Sequence, residues 1–187
     1  MLNKFLNNKG FSLIEMLVVA LIFSMVIGVI MGVFTSIIKI QKYNLSHQQL
    51  LNQASYAMEY MERSIRMAVK ADGSECSFSG DNYRVTSPAG QNTKIEFRNY
   101  EGDCQEFYLD SDLLTSYNDE VYSTSLPMIS EEYKVTFLRF NVIGEAGPPG
   151  DLVQPRVTVV MEIEGKVLGP DPKMRIQTTV SQRNLDI

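Results

Sequence analysis

The chain is long enough for one globular domain on a helical stalk. It has 187 residues, and a leader and a helix account for roughly 70 of them, which leaves about 115 for one domain of ordinary size. Residues 72–187 hold 10 Lys and Arg against 19 Asp and Glu, a net charge of −9. Because an acidic surface repels phosphate backbones, we expect this domain to bind no nucleic acid directly.

Catalytic chemistry has little support in the sequence. The chain has one histidine, His47, and lacks both paired thiolates at ligand spacing and a nucleophile motif. A hydrolase triad and a zinc site are therefore unsupported. His47 lies on an apolar stripe, so we expect it to pack or to form an interface. We predict that the protein is not an enzyme and needs no metal or cofactor.

A short basic leader begins the chain and precedes an apolar segment. Residues 1–10 carry Lys4 and Lys9, and an uncharged run of 23 residues extends from Met16 to Ile38. Such a run forms roughly 34 Å of helix, enough to cross a hydrocarbon core of about 30 Å. An ordinary secretory signal has a shorter apolar core and a cleavage site after it. Here the small residue after which a peptidase could cut, Gly10, precedes the apolar run, so cleavage would leave the membrane anchor in the mature protein.

Glu15 is the one carboxylate inside this predicted membrane helix. Its charge costs at least about 2.5 kcal/mol in the bilayer, so it calls for a partner or a function. One interpretation is a single-span membrane protein in which Glu15 lies near the headgroups and snorkels. That interpretation explains the glutamate but not the five residues before it.

Six consecutive residues connect the leader to the helix: Gly10, Phe11, Ser12, Leu13, Ile14 and Glu15. This run resembles, without a departure, the class III signal of type IV prepilins and type II secretion pseudopilins, which is a glycine followed by Phe-[ST]-Leu-[IV]-Glu. In that family Ser12, Leu13 and Ile14 would belong to the recognition motif of a prepilin peptidase. The resemblance implies that this enzyme cuts between Gly10 and Phe11 and methylates the new amino terminus. It also implies that Glu15 meets the amino terminus of a neighbouring subunit in a filament, where each charge offsets the desolvation of the other.

The resemblance also implies a topology and a set of partners. Flanking positive charges do not decide the orientation, because Lys39 and Lys42 balance Lys4 and Lys9. The leader of such proteins faces the cytoplasm, which implies a single pass through the cytoplasmic (inner) membrane and an extracytoplasmic C-terminal domain. The implied partners are the prepilin peptidase, other minor and major pilin-like subunits, and an inner-membrane assembly platform.

Apolar residues recur at steps of three or four beyond the membrane run, which predicts one helix from Phe11 to Ala71. We divide it into a transmembrane half, 11–38, and an amphipathic half, 39–71, that the globular domain must cover. Asp72 and Gly73 supply a stop signal. The stripe consists of Ile40, Tyr43, His47, Leu50, Ala54, Ala57, Met61, Ile65 and Ala68.

Gly28 and Gly32 form a Gly-x-x-x-Gly pair in the membrane half. The pair favours close helix approach in a filament or a weak point where the helix extends. The alternative is that glycine is simply common in membrane helices. Many major pilins of the resembling family carry a proline where this chain has Gly32, a departure that weighs against a major pilin.

The remainder of the chain, 72–187, is predicted to be β-rich. Alternating apolar and polar residues and flanking turn residues indicate antiparallel strands. A short helical or irregular segment is expected from Ser111 to Glu120. One long helix followed by strands predicts an α+β fold in which the helix packs on one face of an antiparallel sheet. The predicted strands are Tyr83–Thr86, Lys94–Arg98, Glu106–Leu109, Lys134–Ile143, Arg156–Ile163 and Met174–Val180.

Two looser resemblances point to a subtype. Residues Met61–Ala68 and Thr178–Asn184 look like the corresponding segments of J-type minor pseudopilins and W-type minor pilins. The resemblance implies a minor pseudopilin that helps to initiate or cap a pseudopilus in type II secretion, at a filament tip. The alternatives are a minor pilin of a type IV pilus or competence system, or a membrane-tethered binding domain of the envelope.

Cys76 and Cys104 are the only cysteines, and the implied topology places both outside the cytoplasm. A disulfide between them is favoured, although two unpaired thiols in a reducing envelope would fit the sequence too.

Four acidic residues, Asp110, Asp112, Asp119 and Glu120, could offer oxygen ligands to calcium. They lack the spacing of a known loop motif, so solvated loop charge is the preferred interpretation.

Overall fold

The computed structural model describes residues 10–71, 73, 76–86, 91–119, 122–145, 153–165 and 172–183. The leader before Gly10 lies outside the described residues, as do Asp72, Glu120 and Asn184. The chain divides between Asn44 and Leu45 into two compact units. The prediction of one long apolar N-terminal helix and antiparallel strands in an α+β fold is confirmed.

Helix α1 extends from Leu13 to Arg66. In the first unit every large apolar side chain from Phe11 to Ile40 is exposed. This segment is long and apolar enough to cross a membrane, and its most apolar window is wholly unburied. Together with the sequence motif, it indicates a membrane-anchored protein.

Three hydroxyl groups in the apolar segment are satisfied within the helix itself. Ser24 Oγ donates to the Ala20 carbonyl at 2.8 Å, and Thr35 and Ser36 donate to the Gly32 carbonyl at 2.9 and 3.0 Å. Such internal bonds leave no hydroxyl proton to be desolvated without a partner in lipid.

In the second unit the helix buries one face. The buried residues follow the predicted spacing: Leu50, Ala54, Ala57, Met58, Met61 and Ile65. The predicted stripe is therefore correct from Leu50 onward. It is wrong for Ile40 and Tyr43, which belong to the first unit and are 60% and 46% exposed. His47 is half-buried.

The helix ends at Arg66, five residues before the predicted end at Ala71. Its last carbonyl groups take hydrogen bonds from the globular domain rather than from further helical turns. Tyr83 Oη donates to the Ile65 carbonyl at 2.7 Å, and the Arg183 amide donates to the Arg66 carbonyl at 2.8 Å. Beyond the helix, Val69 forms a β-bridge with Arg98. These tertiary donors come from residues distant in sequence, which is why local periodicity placed the end too late.

The described strands form two antiparallel sheets rather than the one that the sequence predicted. The first has the order β1-β2-β3-β4-β5 and the second has the order β6-β7-β8. The six predicted strands are confirmed, with ends that shift by at most two residues. The bounds are β1 Arg84–Thr86, β2 Lys94–Arg98, β3 Cys104–Asp110, β4 Leu113–Asn118, β5 Tyr122–Pro127, β6 Tyr133–Ile143, β7 Arg156–Gly165 and β8 Lys173–Ser181.

The expectation of a helical or irregular segment from Ser111 to Glu120 is wrong, because β4 occupies most of it. A two-residue turn joins β3 to β4, and both of its residues have positive φ, 49° at Ser111 and 68° at Asp112. This is the backbone of a tight hairpin turn. The sequence here lacks the Asn-Gly or Asp-Gly pair that usually signals such a turn.

One hydrophobic core joins the helix to both sheets. Phe97 and Phe107 of the first sheet and Phe140 and Met161 of the second are fully buried with the helical stripe. The ring centroids of Phe97 and Phe107 lie 5.6 Å apart. The second unit therefore depends on the helix as much as on either sheet for its interior.

Replacing Tyr83 with Phe should lower the stability of the second unit. The hydroxyl is buried and donates to the Ile65 carbonyl, so its loss removes one buried hydrogen bond at a cost of about 0.5–1.5 kcal/mol. The carbonyl keeps its second bond, from the Ala68 amide. Urea unfolding of the full chain in nonionic detergent at pH 7 measures this change. The control is Tyr117→Phe, which removes an exposed hydroxyl bonded to Asp119 at 3.0 Å. An equal loss of stability in both variants would contradict the stabilising role of the buried Tyr83 hydroxyl.

The same tyrosine predicts a pH dependence. Burial raises the pKa of Tyr83 well above its usual range. In the unfolded chain a tyrosine ionises near pH 10. Above that pH the unfolded state holds fewer protons than the folded state, so this contribution to stability is lost as pH rises. The stability difference between wild type and Tyr83→Phe should therefore shrink above about pH 10. A stability difference between wild type and Tyr83→Phe that stays constant from pH 8 to 11 would contradict this pH dependence.

Candidate functional site

The six-residue motif lies where the backbone enters helix α1. Gly10, Phe11 and Ser12 are not helical, and α1 begins at Leu13. The Ser12 carbonyl accepts hydrogen bonds from the amides of Glu15 at 3.1 Å and Met16 at 3.2 Å. Ser12 is thus the N-cap residue, and Glu15 follows three positions later, the order of a capping box. The helix therefore begins at Leu13, two residues after the start predicted at Phe11.

The peptide bond between Gly10 and Phe11 lies outside the helix and is exposed. Phe11 is 75% exposed, and Gly10 is exposed as well. A Cβ atom placed on Gly10 would meet no heavy atom within 4 Å, so this chain's own packing does not require a glycine there. A peptidase can reach an exposed, non-helical bond of this kind without unfolding a helix.

Glu15 occupies the first turn of α1. The N-terminal end of a helix carries a partial positive charge, which stabilises a carboxylate in that turn. This gives a glutamate at this position a local role in addition to the predicted pairing with a neighbouring subunit. The pairing itself involves a second chain and stays a prediction.

Gly28 and Gly32 have open space around them. A Cβ atom at either position would meet no heavy atom within 4 Å. Neither glycine is therefore required for packing among the described residues of this chain. The Gly-x-x-x-Gly pair stays a predicted surface for close approach of another helix.

Cys76 and Cys104 form a disulfide bond with their Cα atoms 5.1 Å apart. The bond joins the segment after α1 to the start of β3. Both residues pack with Ala71 and Phe78 in a small buried cluster, separate from the main core. No free cysteine remains in the chain.

Glu96 is a residue of this region that sequence reasoning missed. Its carboxylate is buried, and Oε1 accepts hydrogen bonds from the Ser77 amide at 3.1 Å and the Ser77 hydroxyl at 2.7 Å. One oxygen of Glu96 and the two sulfur atoms lie within 4.8 Å of one another, a spacing at which such groups can hold a metal ion. Because the sulfurs are bonded to each other, they are not the thiolates that bind metals.

The described acidic residues that were considered as calcium ligands do not converge. Asp110 ends β3 and Asp112 lies in the β3–β4 turn, whereas Asp119 follows the far end of β4. The six residues of β4 separate the two groups by about 20 Å. Asp119 instead accepts a hydrogen bond from Tyr117, and Glu120 lies outside the described residues.

The two segments that carried the subtype resemblance meet in the structure. Gln182 Nε2 donates to the Ala68 carbonyl at 2.8 Å, and the Arg183 amide donates to the Arg66 carbonyl. Gln182 is buried. The residues after β8 thus cap the end of α1, a structural role that sequence alone could not reveal because 114 positions separate Ala68 from Gln182.

Comparison with known proteins identifies one family match. Residues 6–31 match the prokaryotic N-terminal methylation motif. No curated protein and no solved structure matches the chain significantly. The match supports a protein of the type IV pilin and pseudopilin class, whose members are structural subunits rather than enzymes. It also implies processing by a prepilin peptidase and assembly with other pilin-like subunits.

Replacing both Cys76 and Cys104 with serine should destabilise the second unit by about 3–4 kcal/mol, because the reduced chain regains the entropy of an open loop. The two bonded residues are 28 positions apart in the sequence, and this separation sets the length of the loop that the bond closes. Urea unfolding with and without reductant measures the effect. Reductant should lower the midpoint of the wild type and leave that of the double variant unchanged. An identical midpoint for wild type and variant in oxidising buffer would contradict the prediction.

Proposed function

We propose that this chain is a minor pseudopilin of a type II secretion system: a structural subunit that a prepilin peptidase cleaves and methylates, and that helps to initiate or cap a pseudopilus. The observation that carries the proposal is the uninterrupted motif from Gly10 to Glu15 at the start of an apolar helix. The family match over residues 6–31 supports the broader class. The narrower role rests on the resemblance of Met61–Ala68 and Thr178–Asn184 to J-type minor pseudopilins.

Cleavage between Gly10 and Phe11 has a physical consequence. It removes the basic leader and creates a new positive charge, the amino group of Phe11, close to a helix whose first half is apolar apart from Glu15 and three hydroxyl residues. A positive charge at a helix N-terminus is unfavourable, because the helix dipole is positive there. The new amine therefore requires a nearby anion to be stable in a membrane or filament core.

Glu15 supplies that anion. A buried carboxylate and a buried amine each carry a desolvation cost, and a close pair offsets part of it. In our proposal Glu15 of an incoming subunit pairs with the Phe11 amine of a subunit already assembled. Subunits would then add in one register, since a shift by one helical turn, about 5.4 Å, separates the two charges.

The globular domain provides the part of the subunit outside the membrane. The two sheets and the end of α1 share one hydrophobic core, so they form a single packed unit. Its net charge of −9 over residues 72–187 does not favour contact with nucleic acid. This charge favours a secretion role over a DNA-contacting role in a competence system.

Replacing Glu15 with Leu should leave cleavage intact and impair assembly. The peptidase acts at Gly10, whereas incorporation needs the carboxylate. The measurements are the mass of the mature chain and its co-purification with partner subunits from membranes. We expect the mature mass to change only by the substitution and co-purification to fall by roughly tenfold or more, the factor that corresponds to about 1.4 kcal/mol.

Two matched variants complete this experiment. Glu15→Asp keeps the charge and should retain part of the incorporation. Gly10→Val keeps the carboxylate but should block cleavage and leave the leader attached. Normal co-purification of the cleaved Glu15→Leu chain would contradict the role of the carboxylate. Normal cleavage of Gly10→Val would contradict the assigned cleavage site.

A further inference from the structure

The disulfide and a buried carboxylate lie together on the outer side of the first sheet. Phe97 and Phe107 pack in the main core. Because side chains alternate along a strand, Glu96 and Cys104 point to the other side of the sheet. Cys76, in the segment that follows α1, covers that side through its bond to Cys104. Three side chains that carry metal-binding atoms therefore meet at one place outside the main core.

The ligand atoms of these three residues are close together and enclosed. Cys104 Sγ lies 3.5 Å from Glu96 Oε1, and one ligand atom from each of Cys76, Glu96 and Cys104 lies within 4.8 Å of the other two. Glu96, Cys104 and Cys76 are only 5%, 7% and 9% exposed. Zn–S bonds of about 2.3 Å and Zn–O bonds of about 2.1 Å place the ligand atoms of a tetrahedral site roughly 3.6–3.8 Å apart. Two sulfur atoms that are bonded to each other cannot reach that spacing, but two thiolates in the same place can.

The carboxylate is held in position by further hydrogen bonds. Glu96 Oε1 accepts from both the amide and the hydroxyl of Ser77. Arg84 Nη1 in turn donates to the Ser77 hydroxyl oxygen at 3.1 Å and to the Ser77 carbonyl at 3.2 Å. Outer hydrogen bonds of this kind orient the ligands of a metal ion and raise its affinity. Two thiolates and one carboxylate around Zn²⁺ leave one negative charge, which the nearby Arg84 guanidinium balances.

We propose that the chain binds Zn²⁺ through Cys76, Cys104 and Glu96 while its two cysteines are still thiols. Every chain passes through this state, because cysteines are synthesised as thiols and become bonded only in an oxidising environment. On binding, each thiol releases one proton to solvent, two Zn–S bonds and one Zn–O bond form, and a water molecule takes the fourth position. No electron is transferred in this step.

The zinc form and the disulfide form exclude each other. A thiol oxidoreductase in its disulfide state can take two electrons from the two thiolates. The Cys76–Cys104 bond then forms, the oxidant takes up two protons to become a dithiol, and Zn²⁺ leaves. Until that exchange, zinc links the segment after α1 to β3 in place of the disulfide and stabilises the fold. This inference concerns the second unit and does not depend on cleavage after Gly10.

Zinc binding by the reduced chain tests the proposal. The full chain, purified in nonionic detergent with a tag that lacks histidine, is treated without oxygen with a water-soluble phosphine. The phosphine reduces the disulfide to two thiols and becomes a phosphine oxide, with its oxygen from water. Competition with a chromophoric chelator then measures the affinity for Zn²⁺. We expect one Zn²⁺ per reduced wild-type chain, and none for the oxidised chain or for Cys76→Ser with Cys104→Ser.

Three single variants separate a three-ligand site from a plain pair of thiols. Glu96→Gln keeps the size of the side chain but removes its charge, and Ser77→Ala removes one outer hydrogen bond. Each should lower the zinc affinity of the reduced chain by roughly tenfold or more, since the loss of an outer partner alone costs about 10–100-fold. The control, Glu164→Gln, removes a carboxylate from the second sheet, where it pairs with Lys134, and should leave the affinity unchanged. Circular dichroism of the oxidised variants checks their folding.

Urea unfolding gives a second measurement that does not depend on the chelator. A ligand that binds only the folded state stabilises it. Excess Zn²⁺ should therefore raise the urea midpoint of the reduced wild type and leave that of the oxidised chain unchanged.

Three results would overturn the proposal. These are no zinc binding by the reduced wild type, equal binding by the oxidised chain, and undiminished affinity in Glu96→Gln. If Glu96→Gln does not fold, Ser77→Ala decides, because an unchanged zinc affinity in that variant would overturn the proposal as well. A retained leader would refute only the proposed function, so the two failures can be told apart.

Discussion

Helix α1 must be stable in two different surroundings, because its first half exposes apolar side chains and its second half packs in the core of the domain. The rest of the structure depends on this division. Apart from Glu15, the first half of the helix is apolar on all sides, and its large apolar side chains are exposed, which only a lipid-like environment or other helices can accommodate. Its second half buries a single stripe from Leu50 to Ile65. Both sheets complete that core, and Tyr83 and Arg183 cap the last carbonyl groups of the helix. The domain and the end of the helix are therefore one folding unit.

Local signals in the sequence predicted much of this fold. Strands such as β7 alternate cleanly between buried and exposed residues, so their positions could be found from a period of two. Strand β4 was missed because its burial does not alternate and its turn at Ser111 and Asp112 lacks glycine. The helix end was missed for a different reason: Tyr83, Gln182 and Arg183 supply its capping donors from distant parts of the chain, which no local pattern reveals.

The candidate site and the second sheet differ in the same way. The motif from Gly10 to Glu15 is continuous in sequence, so it could be predicted residue by residue, although the helix begins at Leu13 rather than at the predicted Phe11. In the second sheet, by contrast, Phe137, Glu162 and Arg175 lie in one row only because β6, β7 and β8 pair in this register. Such a row joins residues that are distant in sequence, so it could not be predicted from local patterns.

In the function that we propose, this chain matures by losing its leader and presenting a methylated amine at the start of an apolar helix. The most direct test is the intact mass of the chain isolated from cells with an active prepilin peptidase, together with the sequence of its first peptide. We expect the mature chain to begin at Phe11 and to carry one methyl group on its terminal nitrogen. A chain that still begins at Met1 and retains Gly10 would contradict it.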